Sequence, residues 1–175
     1  MTAERYLKDY VRLGAVKGAT LRLANVYGPG PEVSQNDRGI LNKMIRRASA
    51  GEALYLLENA ERKRDYVFVE DVVFAFLLAG INVDILEGGY YVIGTGQGYT
   101  FEESFAMVAD RAHKKYGRKI LVERRKSEEA LPPIEDRDFV ADSTRFEKSA
   151  GWKPEVELAS GIDRTLEVVC SPVRS

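Results

Sequence analysis

Wound as a helix, the segment from Asp71 to Gly80 sets Val72, Val73, Phe74, Phe76, Leu77 and Leu78 around its whole axis. A helix that is apolar on every side is a buried one, so the pattern predicts a segment largely enclosed by the rest of the fold. The apolar run Val72 to Ile81 is about half of the roughly 20 residues that a membrane span needs. A chain of 175 residues can build one sizeable core and falls short of two ordinary domains, so residues 1–175 are expected to form a single region.

Composition narrows the function classes. At 45% hydrophobic and 30% charged residues, the chain is globular in type. Its 26 Lys and Arg stand against 27 Asp and Glu, and a net charge of −1 offers no field to nucleic acid or to an anionic membrane surface. A lone cysteine, Cys170, leaves no internal disulfide and suits a reducing cytoplasm. With a single histidine, His113, it also makes a structural zinc site a poor expectation.

Along the chain, residues 3–13 read as a helix from the stripe Tyr6, Leu7, Tyr10 and Val11, which begins with neither an N-cap nor a preceding strand. Ala19 to Ala24 reads as a short strand, and Asn25 to Pro31, dense in Gly and Pro, as a loop. A helix from Ile40 to Ala50 carries Lys43, Arg46 and Arg47 and is ended by Gly51. Short strands at Leu54–Leu57 and Asp65–Val69 flank a polar turn, Glu58 to Arg64, and Tyr90–Ile93 is a further strand. Thr100-Phe-Glu-Glu103 is a capping box opening a helix to about Tyr116. Ile120–Glu123 is a last strand, Leu131–Asp138 a loop broken by Pro132 and Pro133, and two helices near Ser143–Ala150 and Leu158–Val169 close the chain. Such uneven alternation argues α/β or α+β rather than one regular doubly wound sheet.

Three features could carry chemistry. Gly94-Thr95-Gly96-Gln97-Gly98 follows a strand and precedes a helix, the setting of a dinucleotide-binding turn. Tyr99, however, stands where the third glycine belongs, and no acidic residue follows at the required distance, so a plain strand-to-helix turn is expected. An acid–base pair of Tyr with Lys one helical turn later is absent, since none of the nine tyrosines has Lys at position +4. The run Arg62-Lys63-Arg64 reads equally as a solvated hairpin turn or as an anion site centred on Arg64.

Four segments resemble, in order and spacing, those of the extended short-chain dehydrogenase/reductases, the NAD-dependent nucleotide-sugar epimerases and dehydratases. Leu21-Arg-Leu-Ala-Asn25-Val-Tyr-Gly-Pro-Gly30 is similar to R-x-x-N-x-Y-G-P, and Arg64-Asp-Tyr-Val-Phe-Val-Glu-Asp71-Val to R-D-[FY]-[VI]-x-V-x-D-[VL]. Tyr91-Val-Ile-Gly-Thr-Gly96 resembles Y-N-[IV]-G-[TG]-G, and Ala141-Asp142-Ser-Thr-Arg with Ala150-Gly-Trp152-Lys-Pro resembles the family's closing segments. The resemblance implies an α/β fold comprising the last elements of a Rossmann-type fold plus the small C-terminal substrate-binding domain, without the N-terminal dinucleotide-binding half. In that family a Y-x-x-x-K helix runs directly into a stretch like Ala3-Glu4-Arg5-Tyr6-Leu7, so the chain is expected to start just downstream of the catalytic pair.

Carried over residue by residue, the resemblance implies a nucleoside-diphosphate sugar held by Asn25, Lys43 and Arg64, with Leu54–Leu57, Leu56 among them, walling its base. Leu23 and Val26 would lie near the nicotinamide of an NAD supplied with a Rossmann partner. Where the family has R-P-G-D, this chain has Pro132-Pro133-Ile134-Glu135, leaving Glu135 and Arg137 as the polar residues of that clamp. The expectation is therefore the sugar-nucleotide-binding part of an isomerase or lyase, inactive alone. It is either completed by a separate Rossmann-half polypeptide, or a non-catalytic binding module, or a ligand-free product that self-associates into a homo-oligomer.

Overall fold

The computed structural model describes residues 2–30, 39–126 and 137–169; Pro132, Pro133, Glu135 and Cys170 lie outside them. Helix α1 (Thr2–Arg12) leads to strand β1 (Thr20–Leu23), which pairs in parallel with β5 (Tyr90–Ile93). A second sheet sets β2 (Asn25–Tyr27) parallel to β4 (Lys63–Phe68), with β6 (Gly98–Thr100) antiparallel on the other side of β4. A third pairs β3 (Leu54–Leu56) in parallel with β7 (Val122–Arg124). Helices α2 (Ile40–Ala50), α3 (Val69–Ile81), α4 (Val83–Leu86), α5 (Phe101–Tyr116), α6 (Thr144–Ala150) and α7 (Leu158–Val169) complete the described elements.

Asn25–Tyr27 is the first correction: it is strand, not loop. Asn25, Val26 and Tyr27 register with Tyr66, Val67 and Phe68 of β4, and the Gly/Pro density that argues for a loop begins only at Gly28. The chain changes sheets between β1 and β2, where the Ala24 N–H donates to the Ile93 carbonyl at 2.8 Å as the last bond of the first sheet. β4 likewise starts at Lys63, inside the expected turn, and Val69 already belongs to α3. The helix ends follow local chemistry more closely. Thr100 accepts from the Glu103 N–H at 3.0 Å while the Glu103 carboxylate accepts from the Thr100 N–H at 2.8 Å, and Gly51 terminates α2 at φ +81°.

Two groups of buried side chains hold the layers together. In the larger, Leu41, Met44 and Ile45 of α2, Phe105 and Val108 of α5, and Ile162 and Leu166 of α7 close on Tyr27 and Phe68. Those two rings meet edge-on at 5.4 Å, a favoured aromatic geometry, and the Tyr27 hydroxyl donates to the Leu158 carbonyl at 3.3 Å. Burial pushes the Tyr27 and Tyr66 phenols up, which keeps both protonated. The smaller group joins Ala75, Leu86, Tyr91, Ile93, Phe146 and Trp152.

The apolar helix α3 is the second correction. Val69, Val72, Ala75, Leu78 and Ala79 pack inward, while Val73, Phe74, Phe76 and Leu77 are 47% to 59% exposed. The sequence makes every face apolar, but the described elements cover one of them. The start of α3 is pinned by its own buried Asp71, whose carboxylate accepts the N–H groups of Glu155 and Val156, each at 3.1 Å, while its carbonyl accepts from the Trp152 indole at 3.0 Å. That carboxylate also sits in the first turn of α3, where the helix dipole favours negative charge.

Candidate functional site

Where β2 and β4 meet the first turns of α2 and α5 lies a cavity of about 300 Å³, lined by Asn25, Val26, Gly39, Ile40, Leu41, Arg64, Tyr66 and Phe101. Gly28 makes the approach possible. Its φ of +136° suits glycine, a Cβ there would lie 2.6 Å from the Val69 side chain, and its N–H donates to the Asn42 side chain at 3.0 Å. β4's alternation sends Arg64 and Tyr66 to one face, that of the cavity. Of the two readings of the Arg62–Arg64 run, the solvated hairpin turn does not hold at Arg64, which is 6% exposed within a strand.

The Arg64 guanidinium lies 5.0 Å from the Phe101 ring centre. It donates to the Lys63 carbonyl at 3.1 Å and to that of Arg137. No carboxylate is found among the described residues that line the cavity, so its polar character comes from this cation, the Asn25 amide and the Tyr66 phenol. The Asn25 amide donates to the Asp65 carbonyl at 3.0 Å, and the Tyr66 hydroxyl lies 3.4 Å from that of Ser104. The first turn of α2 adds the positive end of its peptide dipoles. Such a set can hold an anion beside an apolar body. It offers no nucleophile with an adjacent base, and no metal-binding group of His, Cys, Asp and Glu occurs among the described residues.

Of the residues singled out in the sequence, Asn25, Val26 and Arg64 come together here. Leu23 is exposed at the end of β1, and Lys43 is exposed on α2 one turn past the lining residues. Leu56 faces the larger core; its carbonyl accepts from the Arg125 N–H at 2.8 Å. The Arg137 guanidinium lies 5.9 Å from the Phe139 ring centre, and Glu135 is outside the described residues. Tyr66 and Phe101 are lining residues that sequence reasoning missed. Period-2 alternation from Arg64 would have found Tyr66, whereas Phe101 reaches the site because β6, which it follows, pairs with β4.

The glycine-rich turn after β5 wraps a carboxylate of this chain. Asp65, fully buried, accepts the Thr95 N–H at 2.9 Å, the Thr95 hydroxyl at 2.7 Å, the Gly96 N–H at 2.9 Å and the Ala141 N–H at 3.1 Å. A Cβ on Gly94 would lie 2.4 Å from that of Ala141. The turn is thus a structural nest for Asp65, as the missing third glycine implies. Its donors are taken by Asp65 and do not fit a dinucleotide pyrophosphate.

Comparison with known proteins places the chain in a class. A model of the NAD dependent epimerase/dehydratase family matches residues 1–94, over half of the 175, and the chain belongs to that family. The UDP-glucose 4-epimerase of Mycolicibacterium smegmatis is 31% identical over 169 residues, covering 95% of this chain and 50% of that protein. The structure of the Thermotoga maritima UDP-glucose 4-epimerase with UDP-glucose superposes with a TM-score of 0.79 at 29% identity, covering 95% of this chain and 50% of that one. For the Thermus thermophilus UDP-glucose 4-epimerase, solved with NAD, the TM-score is 0.76 at 29% identity, over 97% and 52%. The chain spans about half the length of the relatives it matches, and its fold corresponds to the last elements of a Rossmann-type fold with the small C-terminal domain.

Proposed function

We propose that this chain binds a nucleoside-diphosphate sugar in the cavity between β2, β4, α2 and α5, as the substrate-binding part of an NAD-dependent epimerase or dehydratase. The observation that carries this is Arg64, a buried cation stacked on Phe101 that lines the cavity beside the Asn25 amide. A guanidinium in that setting pairs in a fork with phosphate oxygens. Asn25 adds a polar contact to the diphosphate, and Lys43 lies one turn further along α2. Support comes from the likeness to the Thermotoga maritima enzyme, solved with UDP-glucose.

Turnover requires groups that this chain does not supply by itself. None of its nine tyrosines has Lys four residues on, and its glycine-rich turn is occupied by Asp65. NAD and the acid–base pair come with a dinucleotide-binding half, on a separate polypeptide or a longer chain. The apolar outer face of α3 favours a partner surface of this kind, or a second copy.

A melting-temperature panel of UDP-, dTDP-, GDP- and CDP-sugars, with NAD as the comparison, tests the reading. Ligand at about 100 times its dissociation constant adds roughly 2.7 kcal/mol, a rise of several degrees for a domain this size. A rise with one nucleotide class, lost in Arg64→Ala, is the expected result; no rise with any of them overturns the proposal.

A further inference from the structure

The strap of residues 137–141 lies alongside the start of β4 and is tied there at several points. The Phe139 N–H donates to the Lys63 carbonyl at 3.0 Å, and the Asp138 carboxylate accepts from the Lys63 N–H at 2.8 Å. Arg64 and Phe139 form an isolated parallel bridge. At its far end the Ala141 N–H donates to the Asp65 carboxylate at 3.1 Å, and the Ser143 hydroxyl exchanges bonds with Gly94, accepting at 3.0 Å and donating at 2.9 Å. What the strap offers the cavity is the Arg137 carbonyl that receives the Arg64 guanidinium.

We infer that Asp65 is the positioning residue for the phosphate-binding cation: its carboxylate clamps the strap to the β5–β6 turn, and the strap in turn holds Arg64 against Phe101 and toward the cavity. The inference rests on the reading of the cavity as a nucleoside-diphosphate site. Adjacent residues of one strand thereby divide the task, Arg64 on the cavity face and Asp65 on the opposite face, and the Asp65 carbonyl also holds the Asn25 amide. Asn in place of Asp keeps the shape. Its amide NH₂, however, turns donors toward the donors that Asp65 now receives from Thr95, Gly96 and Ala141.

The experiment compares the full chain with Asp65→Asn, Arg64→Gln and Ser143→Ala, using UDP and uridine as ligands and the Arg64 Nε–H resonance with the exchange of the Phe139 and Ala141 amides as structural readouts. Asp65→Asn is expected to weaken UDP about tenfold, in line with loss of a charge-assisted phosphate contact, and to leave uridine nearly unchanged. It is also expected to shift the Arg64 Nε–H resonance and speed exchange at Phe139 and Ala141, with Ser143→Ala moving both readouts the same way. Equal weakening of UDP and uridine would mark Asp65 as a general structural residue and overturn the inference. So would an unmoved Arg64 resonance in both Asp65→Asn and Ser143→Ala. If UDP binds the parent chain and Arg64→Gln weakens it while Asp65→Asn does not, the cavity reading stands and the inference fails. If Arg64→Gln leaves UDP binding unaltered, or UDP does not bind, the cavity reading itself fails and the inference with it. If Asp65→Asn does not fold, Ser143→Ala decides by the same readouts.

Discussion

Arg64 is a cation taken almost wholly out of water, and the surroundings that make this tolerable also define its use. Two backbone carbonyls and the face of Phe101 are among the groups that hold the guanidinium. Replacing it by Gln keeps a polar side chain but removes the charge and the fork, so nucleoside-diphosphate binding should fall about ten- to a hundredfold by the usual strength of a charge-assisted bond. Arg64→Lys should restore little of it, because an ammonium has neither the planar fork nor the ring-stacking face. Calorimetric titration with UDP checks both; a Lys variant that binds like the parent would remove the case for a bidentate contact. The residue scale is also where sequence was most informative. The R-D-[FY] pattern pointed at Arg64, but the division between Arg64 and Asp65 was hidden, because the Asp65 partners Thr95, Gly96 and Ala141 are far away in the chain.

At the scale of elements, legibility tracked the range of the interactions that make each one. Helices capped by their own neighbours were read closely: α2 ends at Gly51, and α5 begins at the Thr100–Glu103 box. β2 and β6 were not, because each lies beside residues that read as turn and is defined by its pairing with β4 across the fold. The box around Thr100 also bears on the site, since Phe101, the ring beneath Arg64, is the first residue of the helix it caps. Thr100→Ala should cost about 1 kcal/mol, the usual price of a lost N-cap. That appears as a fall of roughly 2–4 °C in Tm for a chain of this length, with UDP binding weakened beyond what the lost stability explains. An unchanged Tm would mean that the cap is not needed once α5 is packed.

Across the whole molecule, the two core groups differ in how well they are covered. The larger is closed by three helices, whereas the smaller leaves the outer face of α3 in solvent. The all-round apolarity of α3 was plain in the sequence, and it expresses a need for cover that the described residues meet on one side. Purified alone, the chain is therefore expected to self-associate through Val73, Phe74, Phe76 and Leu77. Phe76→Glu with Leu77→Glu should make it monomeric by light scattering, with stability changed by roughly 0.5 kcal/mol per site, as for surface substitutions. A parent chain that stays monomeric at high concentration would contradict this.

The cavity under Arg64 is proposed to receive a nucleoside-diphosphate sugar. The most direct test of this is a backbone amide NMR titration of the chain with UDP-glucose. Saturable shifts are expected to concentrate at Asn25, Val26, Leu41, Arg64, Tyr66 and Phe101, which line the cavity, and to be lost in Arg64→Gln. Shifts confined to another surface, or a spectrum unchanged by excess ligand, would contradict it.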